Sequence, residues 1–175
     1  MSDLINEVGV IKTNSGKWLD IQDPKPEQID IHDIAIGLSR LCRFAGQIDR
    51  YYSVAQHSIL CTDYAHNDQR LAALLHDASE AYLMDIPSPF KALLPDYVAM
   101  ENRLMTVIAR KFNFEWPLTE HIHSIDKLMV RLEWHQLVLH DTTSFTPDQI
   151  IFPLSAESVR SMFMIKYQQF KFRKD

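Results

Sequence analysis

The sequence predicts an all-α protein, a bundle of helices preceded by a short β-hairpin. Of the 175 residues, 46% are hydrophobic, 23% are charged and only 4 are glycine, which is typical of a globular and mainly helical chain. From Ile31 onward, apolar residues recur at helical spacing. Before that point, the strand-like stretches VIKT and KWLDI flank the turn residues NSG.

We expect a single domain, because 175 residues suffice for one core and the sequence contains no internal repeat or low-complexity run. The predicted parts of the domain over residues 1–175 are a hairpin (9–22), a helical core (30–140) and a C-terminal helix (155–172).

Local signals set the expected helix limits inside this core. Ser53 and Gln56 fit a capping box, so a helix should start there and end near residues 66–68. Pro95 suits the first turn of a helix that runs to about Phe112. A further helix is predicted from about 119 to 140.

Charge and cysteine content exclude several classes of protein. The formal net charge is −5, which argues against a general nucleic-acid binder. Cys42 and Cys61 lack a CxxC spacing, and we expect small buried hydrophobic residues in a reducing cytoplasm. The N-terminus MSDLINEVGV does not resemble a signal peptide, and no apolar stretch approaches the roughly 20 residues that span a bilayer. The expected location is the cytoplasm, without a membrane partner.

The stretch LLHDASEAYLMDIPSPFK combines helical apolar spacing with proton-active side chains. It contains His76, Asp77, Glu80 and Asp85, and burying such groups without partners is costly. Two further His-Asp dipeptides, at residues 32–33 and 140–141, are expected at helix ends, where such residues are common. The pair at 76–77 is predicted in the middle of a helix, and this position favours a functional role.

Two other helices are predicted to bring similar side chains to the same place. His57 falls in the first or second turn of its helix, and Asp126 lies between apolar positions of the helix over 119–140. Two imidazoles and two carboxylates suit a divalent first-row metal ion. Alternatively, each histidine is a hydrogen-bonded core residue, and Asp126 pairs at the surface with Lys127 or Arg131.

In this order, the motifs YSVAQHS, LLHDASEAYLMDIPSPFK and SIDKLMVRLE resemble those of HD-domain metal-dependent phosphohydrolases. They are especially similar to the small 5′-deoxynucleotidases and the phage-type dATP triphosphohydrolases of that superfamily. The resemblance covers roughly residues 30–135 and includes an Arg-aromatic pair, here Arg43-Phe44. It implies an HD-type helical bundle, a bacterial or phage-infected cell as the setting, and a homo-oligomer.

The resemblance also implies roles for individual residues. The metal ligands would be His57, His76, Asp77 and Asp126. Glu80 would act as the catalytic acid or base, and Asp85 would position or deprotonate the attacking water. Arg43 and Lys91 would hold phosphate oxygens, and Phe44 would line the sugar or base pocket. Relatives often have Trp where this chain has Phe44, so the resemblance leaves base and sugar selectivity open.

The function that we expect is hydrolysis of a free deoxynucleotide, by water attack at the phosphorus nearest the sugar. The substrate would be a dNMP or a dNTP such as dATP, and the cofactor one divalent ion (Mn, Co, Zn, Fe or Ni), with Mg on the substrate phosphates as an addition. The alternatives are a nucleotide-binding sensor with a poorly active site, a cyclic-nucleotide or alarmone phosphodiesterase, and a helical interaction module. Three tryptophans are expected to pack rather than bind a base, namely Trp18, Trp116 and Trp134.

Overall fold

A computed structural model describes residues 7–171 and is mostly helical, with one small antiparallel sheet. The sheet pairs β1 (Val10–Lys12) with β2 (Trp18–Asp20), and Val10 lies opposite Asp20. Gly16, with a φ of 84°, closes the turn between the strands, as the NSG signal predicted. The expected combination of helices and an N-terminal hairpin is therefore confirmed.

Eight α-helices follow the hairpin within the described residues. They are α1 (Ile31–Arg40), α2 (Val54–Tyr64), α3 (Arg70–Leu75), α4 (Glu80–Leu83), α5 (Ser88–Lys91), α6 (Pro95–Phe112), α7 (Glu120–Glu133) and α8 (Ala156–Lys171). The main core lies between α1, α2, α3, α6 and α8, where residues such as Leu38, Leu74, Ile108 and Phe163 are fully buried. Among residues 7–171, no helix has both the length and the apolar composition that crossing a membrane requires.

The prediction of one helix through His76 and Asp77 is wrong. Residues 76–79 form turns between α3 and α4, and Glu80 N donates to Asp77 O over three residues, at 3.0 Å. The His76 ring folds back on α3, and its Nδ1 atom forms a hydrogen bond of 2.8 Å with the carbonyl oxygen of Ala73. The regular helix ends at this point. His76 and Asp77 therefore lie in the turns that connect α3 to α4, and Glu80 is the first residue of α4.

Two helix limits also differ from the expected ones. Ser53 caps α2 as predicted, but Gln56 does not complete the capping box: its side chain bonds Phe152 O and Leu154 N, before α8. The helix α2 ends at Tyr64 rather than near 66–68, and α7 ends at Glu133 and continues as a π-helical turn, Trp134–Val138. The predicted end of the last helix, residue 172, lies outside the described residues.

Close packing fixes the position of α4 against α1. A Cβ atom added at Gly37 would lie 2.7 Å from the Ala81 carbonyl oxygen, far inside van der Waals contact. A glycine at this position therefore lets α4 approach α1 closely. The contact positions Glu80, the first residue of α4.

Candidate metal centre

Three separate parts of the chain bring the four predicted metal ligands together. His57 lies near the start of α2, His76 and Asp77 lie in the turns after α3, and Asp126 lies midway along α7. Both imidazole rings are buried, with exposed fractions of 0% for His57 and 7% for His76. The predicted convergence of these side chains is thus present in the fold.

The atoms of this cluster are close enough to share an ion. His57 Nε2 lies 3.2 Å from His76 Nε2 and 3.2 Å from Asp126 Oδ1, and His76 Nε2 lies 3.2 Å from Asp77 Oδ2. The cross pairs, His57 to Asp77 and His76 to Asp126, are 3.7 and 3.8 Å apart. Ligand atoms about 2.1 Å from one ion are separated by roughly 3.0–3.4 Å. The residues therefore fit a divalent metal ion.

Hydrogen bonds on the outer side of each ring orient its Nε2 atom toward the cluster. His57 Nδ1 lies 2.6 Å from Glu133 Oε1, and His76 Nδ1 lies 2.8 Å from Ala73 O. Both partners accept hydrogen bonds, so each Nδ1 carries the proton and donates it. The Nε2 lone pairs are then available to a metal, as in carboxylate-oriented histidine ligands of metalloproteins.

Glu133 is a site residue that the sequence analysis missed. Its carboxylate is fully buried and accepts hydrogen bonds from Tyr52 (2.7 Å), Arg43 Nε (3.0 Å) and His57 Nδ1. Burial acts to raise its pKa, but His57 and Arg43 outweigh this effect and lower the pKa. The sequence did contain a signal, because Glu133 follows Asp126 by two helical turns and so shares its helix face.

The charges of the cluster are complementary in the absence of an ion. Burial opposes charge on both histidines, yet Cys61, Glu133 and Asp126 raise the pKa of His57, and Asp77 and Asp126 raise the pKa of His76, well above the usual value. Conversely, burial acts to raise the pKa of Asp77 and Asp126, but the two imidazoles lower it. A metal ion that binds both Nε2 atoms would therefore have to compete with protons for them.

Glu80 lies beside the cluster in a setting that favours its protonated form. Burial, together with the charges of Asp77 and Asp85, raises the pKa of Glu80 well above the usual value. Its Oε1 atom accepts a hydrogen bond from Lys91 Nζ at 2.9 Å, whereas its buried Oε2 atom has no partner. An unpaired oxygen in a buried carboxyl group is suited to bond a substrate.

Lys91 bridges two carboxylates rather than projecting freely toward a phosphate. Its Nζ atom lies 2.7 Å from Glu101 Oε1, a residue of α6 that the sequence analysis did not consider, and 2.9 Å from Glu80. Asp85 follows Met84, which has a φ of 74°, and burial is the main cause that raises the pKa of Asp85. Lys91 therefore lies among carboxylates, and Asp85 adds a further carboxyl group to this side of the site.

Arg43 and Phe44 border the cluster on its other side. Arg43 is 8% exposed, and its Nη1 atom lies 3.8 Å from Asp77 Oδ2. The backbone of Phe44 is left-handed (φ 56°), and its ring packs edge to face against Trp134, with centroids 6.0 Å apart. Trp134 is 47% exposed, so the ring of this tryptophan packs against Phe44 at the surface of the protein.

A thiol adds a further potential metal ligand. Cys61 is free and buried, and Cys61 Sγ lies 3.6 Å from His57 Nε2. Together, His57, Cys61 and His76 form a group that could hold a metal ion. Cys42, the other free cysteine, is only partly buried, so the expectation of two buried cysteines is correct for Cys61 alone.

Two known proteins are similar to this chain. It is 42% identical over 137 residues to YfdR, an uncharacterized protein of Escherichia coli strain K12, and the match covers 78% of this chain and 76% of YfdR. It is 39% identical over 137 residues to an uncharacterized protein of Rhodobacter capsulatus, with 70% of each chain covered. No protein-family model matches the sequence. Neither name states an activity, so the chemistry has to be inferred from the site.

Proposed function

The chain belongs to the family that includes Escherichia coli YfdR, and we propose that it is a metal-dependent phosphohydrolase of the HD type. One observation carries this proposal. Two imidazole nitrogens lie 3.2 Å apart, and a carboxylate oxygen of Asp77 and one of Asp126 each lie 3.2–3.8 Å from both nitrogens. Such a mixed nitrogen and oxygen set suits Mn, Fe, Co, Ni or Zn.

His57, His76, Asp77 and Asp126 would hold the ion. When bound, a divalent ion polarises a phosphoryl oxygen and makes water a stronger nucleophile at neutral pH. Glu133 keeps the His57 ring in the orientation that this role needs, through the 2.6 Å contact with Nδ1. Arg43, bonded to the same carboxylate, holds Glu133 in place.

Glu80 and Asp85 would divide the proton transfers of hydrolysis. The raised pKa of Glu80 keeps a proton that can pass to the leaving oxygen of the ester, and the unpaired Oε2 atom is free to donate it. Asp85 would accept a proton from the attacking water. Lys91 positions the Glu80 carboxyl group and also lowers the cost of its ionisation after the proton has left.

Arg43 and Phe44 would contact the substrate. The Nε atom of Arg43 is engaged by Glu133, so its terminal nitrogens are the donors that remain for a phosphate. Phe44 and Trp134 form an aromatic corner against which a sugar or base can pack. These contacts support a free deoxynucleotide as the substrate, attacked at the phosphorus nearest the sugar.

The experiment that tests this proposal is phosphorus NMR of the products from Mn- and Co-loaded protein. The four dNMPs and the four dNTPs are supplied separately, and the Asp77→Ala variant and a chelator-treated sample serve as controls. Orthophosphate from monophosphates alone identifies a 5′-deoxynucleotidase. Inorganic triphosphate from one dNTP identifies a selective triphosphohydrolase. No product from either set would contradict the proposed activity.

A nucleotide-binding sensor is the second candidate, and the pairing of the cations favours it. Lys91 is paired with two carboxylates, and Arg43 is paired with Glu133 and, at 3.8 Å, with Asp77, so fewer positive charges are available to stabilise a transferring phosphoryl group. Tight nucleotide binding without turnover in several metals would support the sensor. Cyclic nucleotides and alarmones are then the next substrates to supply.

A further inference from the structure

Cys61 lies where it could serve the metal centre as a third kind of donor. It follows His57 by one turn of α2, so the two side chains share a helix face. The sulfur lies 3.6 Å from His57 Nε2, and the donor atoms of His57, Cys61 and His76 all lie within 4.8 Å of one another. The thiol is 1% exposed, so its surroundings are protein atoms.

The distances match those of a shared ion. In a tetrahedral site, a sulfur about 2.3 Å and a nitrogen about 2.1 Å from zinc are roughly 3.6 Å apart, and two nitrogens are roughly 3.4 Å apart. The observed separations are 3.6 Å for Cys61 Sγ to His57 Nε2 and 3.2 Å between the two imidazole nitrogens.

The cluster therefore contains two overlapping donor sets that share both imidazoles. One set adds the carboxylates of Asp77 and Asp126, hard oxygen donors that suit manganese or magnesium. The other adds the Cys61 sulfur, a soft donor that selects zinc, cadmium and similar ions. The choice between the sets would depend on the ion that is present.

We propose that a thiophilic divalent ion of the zinc class recruits Cys61 as a ligand and thereby inhibits the site. This inference rests on the proposed function of His57 and His76. With Cys61, both histidines and one carboxylate, the ion has four protein ligands, the closed arrangement of structural zinc sites. An oxygen-preferring ion does not recruit Cys61 and keeps the site open.

The environment of Cys61 agrees with its proposed recruitment by an ion of the zinc class. The side chain packs in an apolar cluster with Ala65, Ile125 and Met129, where a thiolate without a cation would be costly. When the metal-sulfur bond forms, the thiol proton is released to solvent, and the metal charge stabilises the thiolate.

The test uses chelator-stripped, reduced full-length protein titrated with Co²⁺ and followed in the near ultraviolet. We expect a thiolate-to-cobalt charge-transfer band in the wild type and in Cys42→Ser, the matched control, and no band in Cys61→Ser. Zn²⁺ affinity should fall about tenfold or more in Cys61→Ser, while Mn²⁺ affinity stays the same. The ¹¹³Cd chemical shift of the wild type, displaced downfield by a sulfur ligand, is a readout that needs no variant.

Two contrary outcomes have different meanings. If Co²⁺ binds without the band and the ¹¹³Cd shift indicates only nitrogen and oxygen ligands, Cys61 is not a ligand and the proposed function is unaffected. If the wild type binds none of these ions, the histidine cluster is not a metal centre, and both proposals fail. Circular dichroism establishes whether Cys61→Ser is folded, and if it is not, the wild-type ¹¹³Cd shift decides.

Discussion

Two of the three His-Asp dipeptides, at residues 32–33 and 76–77, place their carboxylates in very different surroundings. Asp33 is 5% exposed and accepts two hydrogen bonds of 2.7 Å from Ser15, which tie the hairpin to α1. Asp77 instead faces two imidazoles, at 3.2 and 3.7 Å, and the Arg43 guanidinium at 3.8 Å. His32 is exposed, whereas His76 is buried.

The difference shows that a buried carboxylate is not by itself a functional site. The carboxylate of Asp33 accepts its hydrogen bonds from the neutral amide and hydroxyl groups of Ser15, and His32 does not contribute to them. Around Asp77, ionisable groups from α2, α7 and the turns after α3 converge, an arrangement that stability alone does not require. Matched substitutions can test whether function depends on the ionisable groups that converge around Asp77 or on the presence of a His-Asp dipeptide.

The largest effect is expected for Asp77→Ala compared with Asp33→Ala. Removing Asp77 takes one anionic ligand from the cluster, so we expect loss of bound metal and of all turnover. Asp33→Ala should cost about 1–3 kcal/mol of stability, because it leaves the Ser15 donors unpaired, but it should keep the metal. Metal content and the rate of phosphate release are measured for both variants. An Asp77→Ala variant that keeps metal and activity would remove Asp77 from the ligand set.

The next effect concerns Glu80, compared with Glu101 on the other side of Lys91. We expect Glu80→Gln to lower turnover by about 10²- to 10⁴-fold while metal content is unchanged, because the amide cannot act as an acid. Glu101→Gln alters the same lysine without removing the proton donor, and its loss should be much smaller. Equal losses in steady-state assays would assign the effect to Lys91 rather than to Glu80.

A smaller effect is expected for Glu133, which contacts no proposed substrate atom. Glu133→Gln should weaken Mn²⁺ binding by about 10- to 100-fold, because a neutral amide orients His57 less firmly and makes it a weaker ligand. Tyr52→Phe removes only one of the hydrogen bonds to Glu133 and should weaken binding less. Titration of Mn²⁺ followed by electron paramagnetic resonance gives both affinities, and an unchanged affinity in Glu133→Gln would exclude this role.

The smallest effect concerns the start of α1, the helix that carries the 32–33 dipeptide. Asp30 caps this helix by accepting from His32 N, and its pKa is lowered because this bond and Lys17 outweigh burial. A lowered folded-state pKa stabilises the fold above the unfolded pKa of about 3.9, and this contribution is lost as the pH falls through the folded value.

Asp30→Ala should therefore cost about 1 kcal/mol at neutral pH and less in acid. Asp30→Asn retains a capping oxygen without charge and should show little change with pH. Urea unfolding at neutral and acidic pH measures the difference. An alanine variant with the same deficit at both pH values would show that the charge of Asp30 contributes nothing.

Much of the fold and part of the site could be predicted from local sequence signals. Pro95 and Phe112 are the ends of α6 as expected, and the hairpin has the predicted turn. The convergence of His57, His76, Asp77 and Asp126 could be predicted because each lies among apolar residues in the sequence. The break at residues 76–79 could not, because a hydrogen bond from His76 to Ala73 competes there with helical bonding.

Residues that act through long-range contacts were also missed. Glu101 and Glu133 look like ordinary helical glutamates until the fold places them beside Lys91 and His57. Gln56 seemed to be a capping residue, but the chain before α8 competes for its side chain. Such choices depend on tertiary contacts and not on neighbours in sequence.

The most direct test of the central claim is anomalous diffraction at the manganese edge from crystals of Mn-loaded protein. We expect one Mn²⁺ ion per chain, about 2.0–2.3 Å from His57 Nε2, His76 Nε2 and carboxylate oxygens of Asp77 and Asp126. An ordered ion bound elsewhere, with this cluster holding only its own hydrogen bonds, would contradict the account.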